Sequence, residues 1–324
     1  MSQSFSVRRL VKRSLLALAI TGSSALSVLA QDNTLKIVVP YPPGGSTDLV
    51  ARVVANELQP RLGVTVIVEN LVGAGGRVAM QAIKRMPADA NVVVIANPAL
   101  ITVAPMVYKN NGYDPDADFQ PLSQVTSYEF GVAVGAAVPV SAFSHMMAWI
   151  KANPDKANIG VPATGSLPHF FALMVNKATG TATPVVGYKG SAPLSVDLIG
   201  GHIPVAIDTL DTLLPQHLGG KIKILATSGE KRSVSSIPTL KESGFDTAAT
   251  GWNVLFAKSG MPADKAARIA SEVAAIMQMP AVREKVIAAK SDPVAATQAQ
   301  TKAMLAKFKA QWQPVILQAG LKFD

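Results

Sequence analysis

Val39-Pro40-Tyr41-Pro42-Pro43-Gly44-Gly45-Ser46-Thr47-Asp48 joins a β-branched run to a helical pattern through prolines and glycines, and the fold reading turns on it. Upstream, Lys36 to Val39 predicts a strand. Downstream, Leu49, Val50, Val53, Val54 and Leu58 recur at helical spacing and predict one buried helix face. Pro42 and Pro43 stiffen the approach, Gly44 and Gly45 let the backbone turn without a Cβ, and Ser46 to Asp48 supply N-cap groups. Free N–H groups at a helix start, with the helix dipole behind them, favour an anion such as a carboxylate or phosphate. On loop chemistry alone, a purely structural turn and cap fits this stretch equally well.

Working outward, Gly63 ends the first helix, Val64 to Val68 reads as a second strand, and Val78 to Met86 as a helix with apolar residues at 78, 79, 82, 83 and 86. Val92 to Ala96 is a third strand, which makes a doubly wound unit. A second series follows: strand Phe130 to Val138, a helix from Ser141 ending before Pro154, strand Ile159 to Pro162, and helix Leu167 to Ala178 closed by Gly180. Pro184 to Tyr188, Ile203 to Ile207 and Lys221 to Ala226 read as strands, with a helix at Ala192 to Ile199 ended by Gly200-Gly201. Trp252 to Ala257 reads as a strand returning to the first unit. Ile269, Val273, Ile276 and Met277 line one helical stripe of the tail, and Met304, Phe308, Trp312 and Ile316 another. The expected architecture is α/β with two lobes, each a sheet flanked by helices. Residues 31–130 plus 252–324 form the first lobe and 131–251 the second. A chain that crosses between lobes more than once makes a hinged pair with a cleft between them.

At 324 residues, 49% hydrophobic and 16% charged, the chain has the composition of a folded protein with a large core. The absence of cysteine excludes disulfides, thiolate nucleophiles, iron–sulfur clusters and lipid attachment through cysteine. Histidines at 145, 169, 202 and 217 form no closely spaced pair, so a zinc site is not expected, and no cofactor is. Residues 1–30 read as a secretory signal. Arg8, Arg9, Lys12 and Arg13 form its basic region, Leu15 to Leu26 its apolar stretch, and Val28-Leu29-Ala30 its cleavage site. Thr21 to Ser24 interrupts the apolar stretch too early for a membrane anchor. Arg8-Arg9 also suits twin-arginine export, though the residues after it fit general secretion better. Losing these four basic residues lowers the formal charge from +9 to +5, spread along the chain with no basic run interleaved with aromatics, so a nucleic-acid partner is not expected.

Two more loops repeat the strand, loop, helix logic. Ala163-Thr164-Gly165-Ser166-Leu167-Pro168-His169 offers a hydroxyl beside a glycine; Ser166 and His169 as nucleophile and base lack a surrounding GxSxG elbow, so a capping serine and a helix-start histidine are the better reading. Tyr188-Lys189-Gly190-Ser191 adds a lysine that suits an anion or simply solvent. Gly73-Ala74-Gly75-Gly76 lacks the third glycine of a dinucleotide fingerprint, which is Val78, and follows the second strand. Asp208 and Asp211 read as caps of a strand-to-helix turn.

At these loops the sequence resembles the Bug-type periplasmic substrate-binding proteins of tripartite tricarboxylate transporters. The resemblance rests on VVPYPPGGSTDLVAR at 38–52, VIVENLVGAGG at 66–76, NPAL at 97–100, YDPDADFQPL at 113–122, ATGSLPH at 163–169, GYKGSAPLSVDLIGGHIPVAID at 187–208, SIPTLKESGF at 236–245 and the closing WQPVILQAGLKFD. It implies a two-lobe Venus-flytrap fold that captures a small carboxylate for a membrane permease; catalysis is not expected because no nucleophile, base or metal set can be assembled from the residues. Carried over, the ligand-binding residues are Pro43, Gly44, Gly45, Ser46, Thr47 and Asp48 in the first lobe, and Thr164, Gly165 and Ser166 in the second. Lys189, Gly190 and Ser191 lie beside the cleft. Leu71 and Val72 replace the family's usual basic residue and proline, Gly187 its usual proline, and Asp89-Ala90-Asn91 its usual aspartate-glycine-tyrosine turn.

The implied partners of this monomeric receptor are the permease subunits and a di- or tricarboxylate, an acidic amino acid or an aromatic acid. A periplasmic sensor feeding a membrane kinase is the alternative, and a secreted hydrolase using Ser166 and His169 the more distant one.

Overall fold

The computed structural model describes residues 34–135 and 138–324, so the signal reading over 1–30 lies outside the described residues. The chain runs β1 (Thr34–Val39), α1 (Ser46–Leu62), β2 (Thr65–Asn70), α2 (Arg77–Arg85), β3 (Val92–Ala96), and two short helices α3 (Ala104–Val107) and α4 (Pro115–Asp118). There follow β4 (Phe119–Val134), α5 (Phe143–Ala152), β5 (Ile159–Val161), α6 (Leu167–Thr179), β6 (Val185–Gly187), α7 (Ser191–Gly200), β7 (Val205–Thr209), α8 (Leu210–Leu218) and β8 (Lys223–Thr227). The last part is β9 (Thr250–Lys258), α9 (Ala263–Ile276), α10 (Pro280–Ala288), β10 (Asp292–Pro293) and α11 (Gln298–Gln318). Gly63 and Gly180 end α1 and α6 in the left-handed conformation, which lacks the Cβ penalty for glycine, as the sequence predicts.

The strands form one continuous path, β2-β1-β3-β9-β4-β7-β5-β6, with β8 and β10 also paired to β4. Long β4 is the difference from expectation. The sequence predicts a strand beginning at Phe130, whereas β4 starts at Phe119 and runs through both halves of the sheet. Its first part pairs with β9 as far as Glu129, and its last part, from Phe130, pairs with β7 and β8. The turn-like Pro121 and polar Ser123, Gln124 and Thr126 conceal the strand; both register shifts along β9 fall among them.

Three apolar clusters fill the layers. Val50, Val54, Leu58, Ile269 and Val273 pack α1 and α9 on one face of the first half. Leu194, Leu198, Leu210 and Leu213 pack α7 and α8 on one face of the second. The largest cluster joins both halves through Phe130, Phe171, Trp252, Phe308 and Trp312. The Trp312 ring on α11 stands edge-on to Phe130 at 6.4 Å, and Phe308 edge-on to Trp252 at 5.6 Å. Helix α11 is thus pinned across the junction by its Phe308, Trp312, Ile316 stripe, with Met304 only partly covered. Two residues placed on buried faces by spacing are exposed: Leu49 at 42% and Val78 at 40%. Asp48 and Met80 are buried there instead, alongside the expected Val50 and Ala79, because the faces turn slightly from the apolar spacing. Among the described residues no helix is long and apolar enough to cross a membrane.

Candidate functional site

Strand direction sets up the site. β3 is antiparallel to β9 and β9 to β4, so parallel β1, β2 and β3 run in the same sense as β4; β7 opposes β4, and β5 and β6 run with β7. The C-terminal ends of the two parallel sets therefore point at one another. Ala96 at the end of β3 is level, through Val254, with Gln124 of β4, and Thr209 at the end of β7 is level with Phe130. Six residue steps of β4, from Gln124 to Phe130, cross the space between, about 20 Å at strand rise. Ligands of open α/β sheets sit beyond the carboxyl ends of strands, and here two such edges share one gap.

The loop after β1 forms the wall on the first side. Gly44 has φ +86° and Gly45 φ −72°, so only Gly44 occupies the left-handed region that a side chain resists. The helix cap is Gly45, which makes no side-chain cap bond, contrary to the expectation that Ser46 to Asp48 cap the helix. Asp48 instead turns back into the loop. Only 2% exposed, it accepts the Gly44 N–H at 2.9 Å, both Nε and Nη2 of Arg52 at 3.0 and 3.1 Å, and the Asn70 amide at 2.9 Å. Burial pushes its pKa up, but Arg52, Gly44 and Asn70 outweigh burial and hold it below the ordinary value. The Leu49 N–H closes the first helical turn on the Gly45 carbonyl, which leaves the N–H groups of Ser46, Thr47 and Asp48 without intrahelical acceptors. Pro43, Gly44 and Gly45 are exposed, with Ser46 and Thr47 half-buried.

Loops 163–166 and 187–191 pack together as the opposite wall, because the Gly190 N–H donates to the Pro162 carbonyl at 2.8 Å and the Tyr188 N–H to Val161 at 2.9 Å. The first of these loops is closed on itself. Ser166 caps α6 by accepting the His169 N–H at 3.3 Å, and His169 Nδ1 accepts the Gly165 N–H at 2.9 Å. Nδ1 is thus an acceptor, which puts the proton of the neutral ring on Nε2. Burial lowers the His169 pKa, consistent with a neutral ring. Ser166 and His169 meet as cap and helix-start residue, the geometry expected from the sequence. Thr164 and Lys189 are exposed, and Ser191 opens α7.

Tyr41, Tyr128 and Asp208 escape a reading of motifs. Tyr128 lies on the crossing segment of β4, where it is close enough to Tyr41 and Asp211 for their charges to act on it; burial is the larger cause that raises its pKa. The Tyr41 hydroxyl is buried beside the Asn97 side chain. Asp208, at the end of β7, is 1% exposed. Its Oδ1 accepts the Thr209 N–H at 2.7 Å, as expected of a turn cap, and the Ser191 hydroxyl lies beside its carboxylate. Burial raises its pKa to about 6 against the pull of Ser191 and Thr209, with Asp211 adding to the rise. Tyr41 had a signal in its place between two prolines, but nothing local marks Tyr128. Among the described residues no group of His, Asp and Glu is arranged to hold a metal ion.

Opposed strand edges joined by a crossing strand, with an anion-favouring helix start on one wall, define a two-lobed ligand-binding receptor. The chain belongs to the tripartite tricarboxylate transporter family of receptors, whose profile matches residues 50–321. Protein BugT of Bordetella pertussis is 30% identical over 292 residues, 89% of this chain and 90% of that protein. A Cupriavidus necator protein encoded in the gbd 5' region is 32% identical over 276 residues, 83% of each. Among solved structures, R. palustris Rpa4515 with adipate aligns with a TM-score of 0.77 at 27% identity, covering 90% of this chain and 99% of that one. Periplasmic binding protein BugD aligns at 0.71 and 28%, with 90% and 99% covered.

Proposed function

We propose that this protein captures a small carboxylate outside the cytoplasm and hands it to the membrane subunits of a tripartite transporter, binding without turnover. The observation that carries the reading is the α1 start: three N–H groups with no intrahelical acceptor, on a loop locked by Asp48, face the gap between the two strand edges. The adipate in its structural relative supports a carboxylate as guest. Ser46 and Thr47 take the ligand carboxylate with their N–H and hydroxyl groups, while Asp48, whose oxygens are occupied, positions the loop. In the second lobe Thr164, Ser166 and Ser191 offer hydroxyls and Lys189 a supporting charge; the Gly165 and Gly190 N–H groups are committed elsewhere. Residues 31–130 with 252–324 form the lobe that carries α1, and 131–251 the other, in a monomer released by cleavage after Ala30.

A thermal-shift screen of di- and tricarboxylates, acidic amino acids and aromatic acids tests this on protein refolded free of bound ligand. A ligand that binds only the folded state stabilises it by about 2.7 kcal/mol at a hundredfold excess over Kd. At least one carboxylate should raise the melting temperature, and Thr47→Ala should cut that shift. A screen in which no carboxylate shifts the wild type sinks the proposal.

A further inference from the structure

The stretch after α11 is anchored to the first half of the sheet and reaches the second. Gly320 turns the chain back, and Phe323 then lies along the segment that follows α3. The Phe323 N–H donates to the Val107 carbonyl at 2.7 Å and its carbonyl accepts the Lys109 N–H at 3.0 Å. Lys109 Nζ bonds Asp324 Oδ1 at 2.6 Å and Lys322 Nζ the Met106 carbonyl at 2.8 Å. The Phe323 ring is held as well as its backbone: the Tyr108 ring lies 5.4 Å away, centroid to centroid, and the Arg77 guanidinium 3.6 Å over Tyr108. From this anchorage the ring meets the opposite wall. A Cβ on Gly165 would lie 3.1 Å from Phe323 Cε2 and 3.3 Å from Cζ; apart from Gly165's chain neighbours, no other described residue comes within 4 Å of that point. The Gly165 N–H is spent on His169, so the ring is seated on the bare backbone face of a loop already closed on itself. Tyr108 follows β3 and Gly165 follows β5, so the contact lies where the two strand edges oppose each other.

We propose that Phe323 is a latch between the two halves: its ring, pinned to one wall, holds the 163–166 loop of the other and biases the ligand-free receptor toward a narrowed gap. Strand β4 joins the halves covalently and persists whatever the angle between them. The contact of Phe323 with Gly165 has no such link and exists only while the walls are near. A contact made in one arrangement alone shifts the equilibrium toward that arrangement by its own free energy. One ring on one stretch of backbone is a small contact, so the latch tilts the balance and leaves opening fast enough for a guest to enter. A receptor whose closed form is populated beforehand gives up less of its intrinsic affinity to the conformational step. Glycine at 165 is part of the device, because a side chain there would meet the ring before the walls came together.

The chain has no cysteine, so exposed Val72, just past β2, and exposed Val186, on β6, can each be changed to cysteine and take one spin label. Pulsed electron paramagnetic resonance on the doubly labelled protein, refolded free of bound ligand, then measures the spread of distances across the gap. With Phe323 intact, the main population should lie at the separation seen in the structure. Phe323→Ala should cut that population at least twofold in favour of longer distances, and Phe323→Tyr, which keeps the ring, should restore it. Tyr108→Ala leaves the ring but removes its neighbour, and should cause a smaller loss in the same direction. Circular dichroism confirms that each variant is folded, and a purely structural role for Phe323 would lower the urea midpoint while leaving the distances unchanged. The same distances with Phe323 and with Phe323→Ala overturn the proposal, as does a receptor with Phe323 intact that shows only the longer distances. The test uses no carboxylate, so its failure leaves the functional reading standing.

Discussion

The glycine loops that open α1 and α6 look alike in sequence, each a strand end followed by glycine, hydroxyl residues and an amphipathic helix, yet they spend their hydrogen bonds in opposite ways. The α1 loop is held from below. Asp48, inside the helix, reaches back to Gly44 and is itself held by Arg52 and Asn70, so the N–H groups at the helix start stay open. The α6 loop is held from within: Ser166 consumes the His169 N–H and His169 consumes the Gly165 N–H. The residue that rigidifies a helix start decides whether that start can receive a ligand. An acid placed one turn in leaves the donors free, whereas a serine cap followed by histidine uses them up.

Asp48→Ala should break this comparison most severely. It removes a 2% exposed carboxylate from four hydrogen bonds, leaving the Gly44 N–H without its acceptor and half-exposed Arg52 and Asn70 with only the Arg52–Asn70 bond and the Asn70 bond to the Tyr41 carbonyl. We expect a stability loss of about 2–3 kcal/mol in urea unfolding, below the range for a fully buried pair because Arg52 meets solvent. Because the folded pKa of Asp48 is depressed, its contribution is present above about pH 4 and falls away as pH drops through the folded value, so the wild-type advantage should fade in acid.

His169→Ala should cost less, about 1–2 kcal/mol at pH 7.5, from the Gly165 N–H left unpaired. Its pH dependence separates the two loops. The folded pKa of His169 lies below 6.5, so the unfolded chain binds the extra proton and wild-type stability falls as pH drops from 6.5 through that lower value. The gap between wild type and variant should narrow at pH 5; a gap that widens would show that the ring is charged in the fold.

The smallest effects should come from the adjacent glycines. Gly44→Ala forces a side chain into φ +86° and should cost about 1 kcal/mol, although nothing crowds the added Cβ. Gly45→Ala sits at φ −72° and ψ 164°, with the Pro42 carbonyl at an ordinary 3.7 Å, and should leave the melting temperature unchanged. Any loss it causes in ligand affinity then reports close approach of the ligand itself. Equal destabilisation by both substitutions would refute the distinction between a conformational glycine and a clearance glycine.

Much of this molecule is local and was therefore readable from residue order. The alternation of β-branched runs and helical stripes places β1, β2, β3 and α1, glycines mark helix ends, and the strand-loop-helix joints locate the walls of the site. The stripe Phe308, Trp312, Ile316 announces a buried face of α11, although not what it covers. The tertiary structure decided what depends on partners distant in sequence. β4 is a single crossing strand because β9, more than a hundred residues later, pairs along polar residues that carry no strand signal of their own. Asp48 clamps its loop because Asn70 and Arg52 converge on it, and Asp208 meets a backbone donor with only one of its oxygens. Residue order sets the inventory of donors and acceptors along the chain. Which of them remain unspent, and so available to a ligand, is settled only once packing has paired the others.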